Sequence, residues 1–296
     1  MGFRSEVTVF LVVALGAAWA AASPLWAAGG SLDTPLTGLV ATAMMFTPTL
    51  GVLVVWAVRR TPAREWARET GLGLGPRSGR TFALIAAAWL GVPLLVAAAI
   101  ALSAGLGLLS LDLAGLSLFR QQLAAAPGPT PDAGTLALIQ LVAGPLIAPL
   151  INAVPAFGEE WGWRGWLLPR LTELGVWPAL LLSGLIWGAW HAPLTLLGYN
   201  YPSLGAWAAA MFVGFCALFG VLLGWLRLRS GSVWPATIAH GALNATAGAI
   251  FLLGDATAPP NPAIAGITGL VGWALLVVVA ATALRLHPVR ESEPVR

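Results

Sequence analysis

The chain reads as an all-α polytopic membrane protein, with about eight transmembrane helices in one bundle and both termini cytoplasmic. Three features predict this class. First, 58% of the 296 residues are hydrophobic and only 9% are charged, whereas a soluble domain carries about 25% charged residues. So few charges cannot cover a water-facing surface of this size. Second, eight apolar stretches, at 7–28, 34–58, 81–106, 134–156, 175–198, 205–226, 233–254 and 263–285, each reach the roughly 20 residues that cross a hydrocarbon core about 30 Å thick. Third, fourteen of the fifteen basic residues, all of them arginine, fall on alternate connections. That is the positive-inside pattern.

The elements follow in order. Arg4 precedes an apolar run from Val7 to Ala22, too long for the 7–15-residue core of a signal peptide, so a retained first span is predicted. The connection 59–80 holds Arg59, Arg60, Arg64, Arg68, Arg77 and Arg80. It reads as an amphipathic surface segment followed by a turn through Gly71, Gly73, Gly75 and Pro76. The outer connection 107–133 holds a short helix over Leu116–Ala125, the lone outside arginine, Arg120, and then Pro127, Pro129 and Pro131.

In the fourth stretch Pro145, Pro149 and Pro155 each remove a backbone donor and predict kinks. Arg164 and Arg170 then fall in an inside connection, Arg227 and Arg229 in the next, and Arg285, Arg290 and Arg296 after the last span. Gly184-xxx-Gly188 and Gly220-xxx-Gly224 give two spans small-residue faces for close packing within the bundle. Most of the fifteen tryptophans are assigned to interfacial belts. The single cysteine, Cys216, cannot form an internal disulfide and reads as a buried, inert thiol. The polar connections are too short for a soluble domain, so residues 1–296 form one membrane domain. The arginines are scattered at span ends rather than gathered into a patch, which argues against a nucleic-acid partner.

Ionisable side chains at membrane depth cost roughly 2.5–3.5 kcal/mol on insertion scales and mark functional sites. Three segments hold them. In Gly158-Glu159-Glu160-Trp161-Gly162-Trp163-Arg164 the two glutamates point about 100° apart on a helix. Glu160 and Arg164, four apart, can pair. Glu159 is then free to face a cavity as a general base. Ordinary cytoplasmic loop charges are the bland alternative. Trp187 and His191 share a face one span later, with Pro193 ending the helix. His240 and Asn244, again four apart, could donate to a developing oxyanion or simply tie helices together.

Glu-Glu-x-x-x-Arg, aromatic-x-x-x-His and His-x-x-x-Asn, in this order, resemble the CPBP family. It comprises CAAX prenyl endopeptidases with bacteriocin-processing and immunity proteins, and is also called the abortive-infection family. The match rests on Glu159, Glu160, Arg164, Trp187, His191, His240 and Asn244, in a core at 135–250. Trp187 departs from the pattern, which usually has Phe there. The resemblance implies an intramembrane endopeptidase in which Glu159 and His191 activate a water while His240 and Asn244 stabilise the oxyanion. Glu160, Arg164 and Trp187 would support the site or contact substrate.

A glutamate and two histidines also resemble a catalytic zinc shell. The motif His-Glu-x-x-His is absent, however, so a metal-free mechanism without a cofactor is expected. Zinc or another divalent metal on Glu159, His191 and His240 is the alternative. The expected partners are membrane lipid and a peptide or lipid-anchored protein whose tail enters from the cytoplasmic side. A proton- or cation-coupled transporter, or a catalytically silent scaffold or immunity factor, would use the same residues differently. One mismatch stands in this reading. Counted from the cytoplasmic ends, His240 is about seven residues deep and His191 about sixteen, a difference of roughly 13 Å. The fourth span must run further inward than 156, or the fifth must start outside the bilayer.

Overall fold

The computed structural model describes residues 2–125, 128 and 132–289. Pro127, Pro129, Pro131, Arg290 and Arg296 therefore lie outside the described residues. Every one of the eight apolar stretches contains helix, and no β-strand occurs among the described residues. The chain is an integral membrane protein by its apolar helices. Four of them are long and apolar enough to cross a bilayer, and a fifth qualifies if one bent pair is a single span.

Helix α1 (Phe3–Ala27) leads into α2 (Leu36–Met45) and α3 (Thr47–Arg59), which together make one span broken at Phe46. A short surface helix α4 (Ala63–Glu69) follows, then the predicted turn. Gly71 and Gly75 there adopt φ of 72° and 70°, a left-handed conformation that suits glycine. The long apolar helix α5 (Ser78–Gly105) follows, and then the short helix α6 (Ser117–Ala125). Asp132 caps α7 (Ala133–Leu146), accepting from the Thr135 backbone N–H at 2.7 Å. That hydrogen bond holds its carboxyl below the usual range.

The prolines of the fourth stretch act as expected. Helices α7 and α8 (Ala148–Glu160) meet at 58° across Ile147, between Pro145 and Pro149. The boundary at 156 is corrected, because the helix continues as a wide π-helical segment, Trp161–Leu167, and α9 (Leu168–Leu171). Hydropathy reads this continuation as a loop on account of its glutamates and arginine. Arg164 is accordingly no loop charge, with 0% of its surface exposed. The remaining helices are α10 (Val176–Trp190), α11 (Ala192–Thr195), α12 (Trp207–Ser230), α13 (Trp234–Thr246), α14 (Ala249–Leu252) and α15 (Leu270–Leu286).

Small residues set a close crossing between α10 and α12. A Cβ on Gly184 would lie 2.8 Å from Ala217 Cα, and one on Gly188 would lie 2.6 Å from Val213 Cα. Both glycine pairs thus pack within the bundle, as expected. The aromatic-belt reading does not extend to the tryptophans of the interior. Trp66, Trp163, Trp166, Trp187 and Trp190 are fully buried, and only Trp19, Trp26, Trp177 and Trp207 are largely exposed. Their bulk fills the space around α8 and its continuation instead. Cys216 is buried.

At the arginine-rich end an ionic cluster joins three parts of the chain. Arg59 lies 3.1 Å from Glu69 and 3.7 Å from Glu6, and Arg170 lies 3.5 Å and 3.7 Å from the same two carboxylates. Arg170 also stacks 4.1 Å from the centre of the Trp166 ring.

Candidate active site

The seven motif residues gather at one depth. Thr49 Oγ1 on α3 donates to the Gly158 carbonyl at 2.8 Å, and the Trp190 indole donates to Thr47 Oγ1 at 3.0 Å. The ends of α8 and α10 therefore meet the same turn in the middle of the α2–α3 span. The continuation of the fourth span past 156 puts Glu159 inside a helix rather than at its end, beside the end of α10.

Glu159 is 2% exposed, and its Oε2 accepts a 2.6 Å hydrogen bond from the Trp187 indole N–H. A phenylalanine there could not donate, so the departure from the family pattern adds a bond to the glutamate. Oε1 faces His240, whose Nε2 is 4.0 Å away. The other ring nitrogen of His240, Nδ1, lies 2.9 Å from Glu160 Oε1. That oxygen also receives Arg164 Nη1 at 2.8 Å, which realises the pair expected at spacing four. The Arg164 guanidinium covers the Trp187 ring at 4.3 Å, a favourable cation–π geometry. All four groups are buried. Burying charges is tolerable only when they are paired and hydrogen-bonded, and here the pairing chain runs Arg164–Glu160–His240.

His191 sits at the C-terminal end of α10, where Pro193 stops the helix. Its Nδ1 is 2.9 Å from the Trp187 carbonyl. A carbonyl only accepts, so Nδ1 carries a proton and Nε2 keeps its lone pair in the neutral ring. The Trp187 ring lies between the two histidines, with centroids 5.6 Å from His191 and 5.2 Å from His240.

A cavity of about 500 Å³ brings Glu159, His191, His240 and Asn244 to one wall, together with Trp187. Glu160 and Arg164 stand behind that wall. Asn152 also lines the cavity, its amide bonded to the Ala148 carbonyl at 3.0 Å. Sequence reasoning passed over it. An asparagine in an apolar span, seven residues before Glu159 and so on the same helical face, was the available signal. Glu159, His191 and His240 line the same cavity, and among the described residues no three His, Cys, Asp or Glu side chains are close enough together to stand as a ready set of metal ligands.

Residues 138–246 match the family model for type II CAAX prenyl endopeptidases of the Rce1-like kind. A protein described as CAAX prenyl protease 2, from Methanococcus maripaludis, is 28% identical over 92 residues. That alignment covers 29% of this chain and about a third, 34%, of the relative. All seven site residues lie inside the matched segment. Through residues 138–246 the chain is thus similar to the CAAX prenyl endopeptidases, and it spans about a third of the length of the curated relative it matches.

Proposed function

We propose that the protein is an intramembrane endopeptidase that hydrolyses a peptide bond with a water activated by Glu159 and His191. One observation carries this reading: a buried carboxylate, oriented by an indole N–H, shares a cavity wall with two imidazoles and an amide. Glu159 takes a proton from the water as it attacks the scissile carbonyl. His191, with Nδ1–H held by the Trp187 carbonyl, offers Nε2 to orient that water. The oxyanion is stabilised by Asn244 and by His240 acting through Nε2–H, with Nδ1–H donated to Glu160. An imidazolium there is balanced by the Glu159 and Glu160 carboxylates. Collapse breaks the C–N bond, and the proton held on Glu159 passes to the leaving amine.

The similarity of residues 138–246 to type II CAAX prenyl endopeptidases supports a protease, and the substrate is read as a peptide or lipid-anchored protein. The arginine alternation supports eight spans with both termini cytoplasmic, the shorter helices α10, α13 and α15 completing the count.

The test is single-turnover cleavage of a quenched fluorescent peptide library by purified protein. Glu159→Gln keeps size and hydrogen bonding but removes the base, so turnover is expected to fall about 10²–10⁴-fold. Asn244→Ala removes one oxyanion donor and is expected to cost about 10²–10³-fold, with substrate affinity little changed. A strong chelator should leave wild-type cleavage intact. A loss on chelation that zinc reverses would move Glu159, His191 and His240 into a metal shell. Normal cleavage by both variants would sink the proposed site.

A further inference from the structure

Each span that reaches the cavity lines it over only part of its length. Helix α2 starts at the end remote from Arg59 and contributes Gly38 and Thr42. Helix α13 starts beside the arginine-side turn, where Trp234 donates to the Leu72 carbonyl at 2.8 Å, yet lines the cavity only from His240 onward. Helix α10 follows Arg170 and joins the wall only from Trp187 onward, while α12 lends Phe212 and Phe215, far from Arg227 and Arg229 at its other end. The fourth span contributes Asn152, Pro155 and Glu159, ahead of its continuation to Arg170, so each span lines the cavity from its middle or from the half away from the arginines.

The opposite side is a packed floor. Trp163, Trp166, Leu167 and Leu168, which lie between Glu160 and Arg170, are 0% exposed. The Phe10 ring stacks on Trp166 at 4.7 Å and meets Trp163 edge-on at 5.4 Å. A Cβ on Gly165 would come within 2.9 Å of the Thr70 carbonyl, so backbone meets backbone there. The rim, by contrast, is open: Gly38, Thr42, Asn200, Asn244 and Gly248 line the cavity and are exposed.

We propose that substrate reaches this site from the face opposite the arginines, so that the peptidase acts on exported or membrane-tethered polypeptides at the extracytoplasmic side. This replaces the expectation of a tail entering from the cytoplasm. It rests on the peptidase reading above, and on the positive-inside rule, which puts the arginine-rich connections in the cytoplasm. A peptide arriving from the arginine side would have to displace the Trp163–Trp166–Phe10 packing. One arriving from the rim meets Asn244 and Glu159 along an existing cavity.

The test uses full-length protein in intact cells, with Cys216→Ser as background and a membrane-impermeant maleimide. Gly38→Cys and Gly248→Cys place thiols on two sides of the rim, at positions where an added Cβ meets nothing within 4 Å. Arg64→Cys, on exposed α4, reports the arginine face. Both rim thiols are expected to label in intact cells, and the Arg64→Cys thiol only after permeabilisation. Protection of either rim thiol in intact cells, or labelling of Arg64→Cys there, overturns the proposal.

Labelling does not depend on catalysis, so cleavage that survives Glu159→Gln would sink the peptidase reading and leave the sidedness standing. The substrate side is read separately in sealed proteoliposomes with the peptide library added outside. Cleavage should scale with the fraction of molecules whose rim thiol is labelled from outside. Scaling with the Arg64→Cys fraction instead would overturn the proposal.

Discussion

Glu159 and Glu160 are neighbours in sequence and opposites in circumstance. Glu160 is claimed by Arg164 and His240. Glu159 has one oxygen bonded to Trp187 and the other on the cavity side, near His240. The spacing-four pairs were legible in the sequence because helix geometry alone puts residues i and i+4 together. The Trp187–Glu159 bond was not, since it spans 28 residues and depends on how two helices cross. Trp187→Phe is expected to leave Oε2 of a buried carboxylate without its donor, at a cost of about 1–3 kcal/mol in stability. Turnover should change with it while the ring still packs between the histidines. Melting curves and single-turnover rates check this, and unchanged values in both would mean the indole N–H is idle. Glu160→Gln should reduce stability at least as much as turnover. If it abolished cleavage in a fully stable protein while Glu159→Gln stayed active, the two glutamates would exchange roles.

At the scale of elements, the small-residue faces of α10 and α12 were readable because glycine spacing is a direct statement about how closely backbones approach. They also shape the site. A Cβ on Gly220 would lie 2.8 Å from Gly184 Cα and 3.0 Å from Arg164 Nη2. Gly220→Ala is therefore expected to force the helices apart and push Arg164, costing about 1–3 kcal/mol as overpacking does, with a parallel loss of cleavage. Gly91→Ala on α5, where a Cβ meets nothing within 4 Å, is the control that should leave both properties alone. Equal melting temperatures for the two variants would refute the close contact. The prolines located the bend at Ile147, but nothing in the sequence announced the continuation through 161–167. Its two glycines, arginine and tryptophans look like a loop by hydropathy, and only neighbouring helices make them an interior. Wide π-helical turns of this kind recur at functional sites.

For the whole molecule, the alternation of arginines gave the frame from which sidedness is now argued. Taking buried Arg164 out of the fourteen inside arginines leaves thirteen on the alternate connections, so the pattern survives the correction. It predicts that Ala258→Cys, in an exposed turn, labels from outside intact cells while Arg64→Cys does not. Labelling of Ala258→Cys only after permeabilisation would break the eight-span scheme. The inner tryptophans were misread for a physical reason. Belts and buried aromatic packing use the same residue, and composition cannot separate them when the site itself is lined with indoles.

The first helix carries none of the site residues, yet Glu6 joins Arg59 and Arg170, and Phe10 closes on Trp163 and Trp166. The stretch by which kinship is recognised is therefore not a stretch that can live alone. Residues 132–296 produced without the preceding part should be degraded in the cell, and supplying 1–131 as a separate polypeptide should rescue them. Stable accumulation of the isolated second half would show that the amino-terminal half is an ornament rather than a foundation.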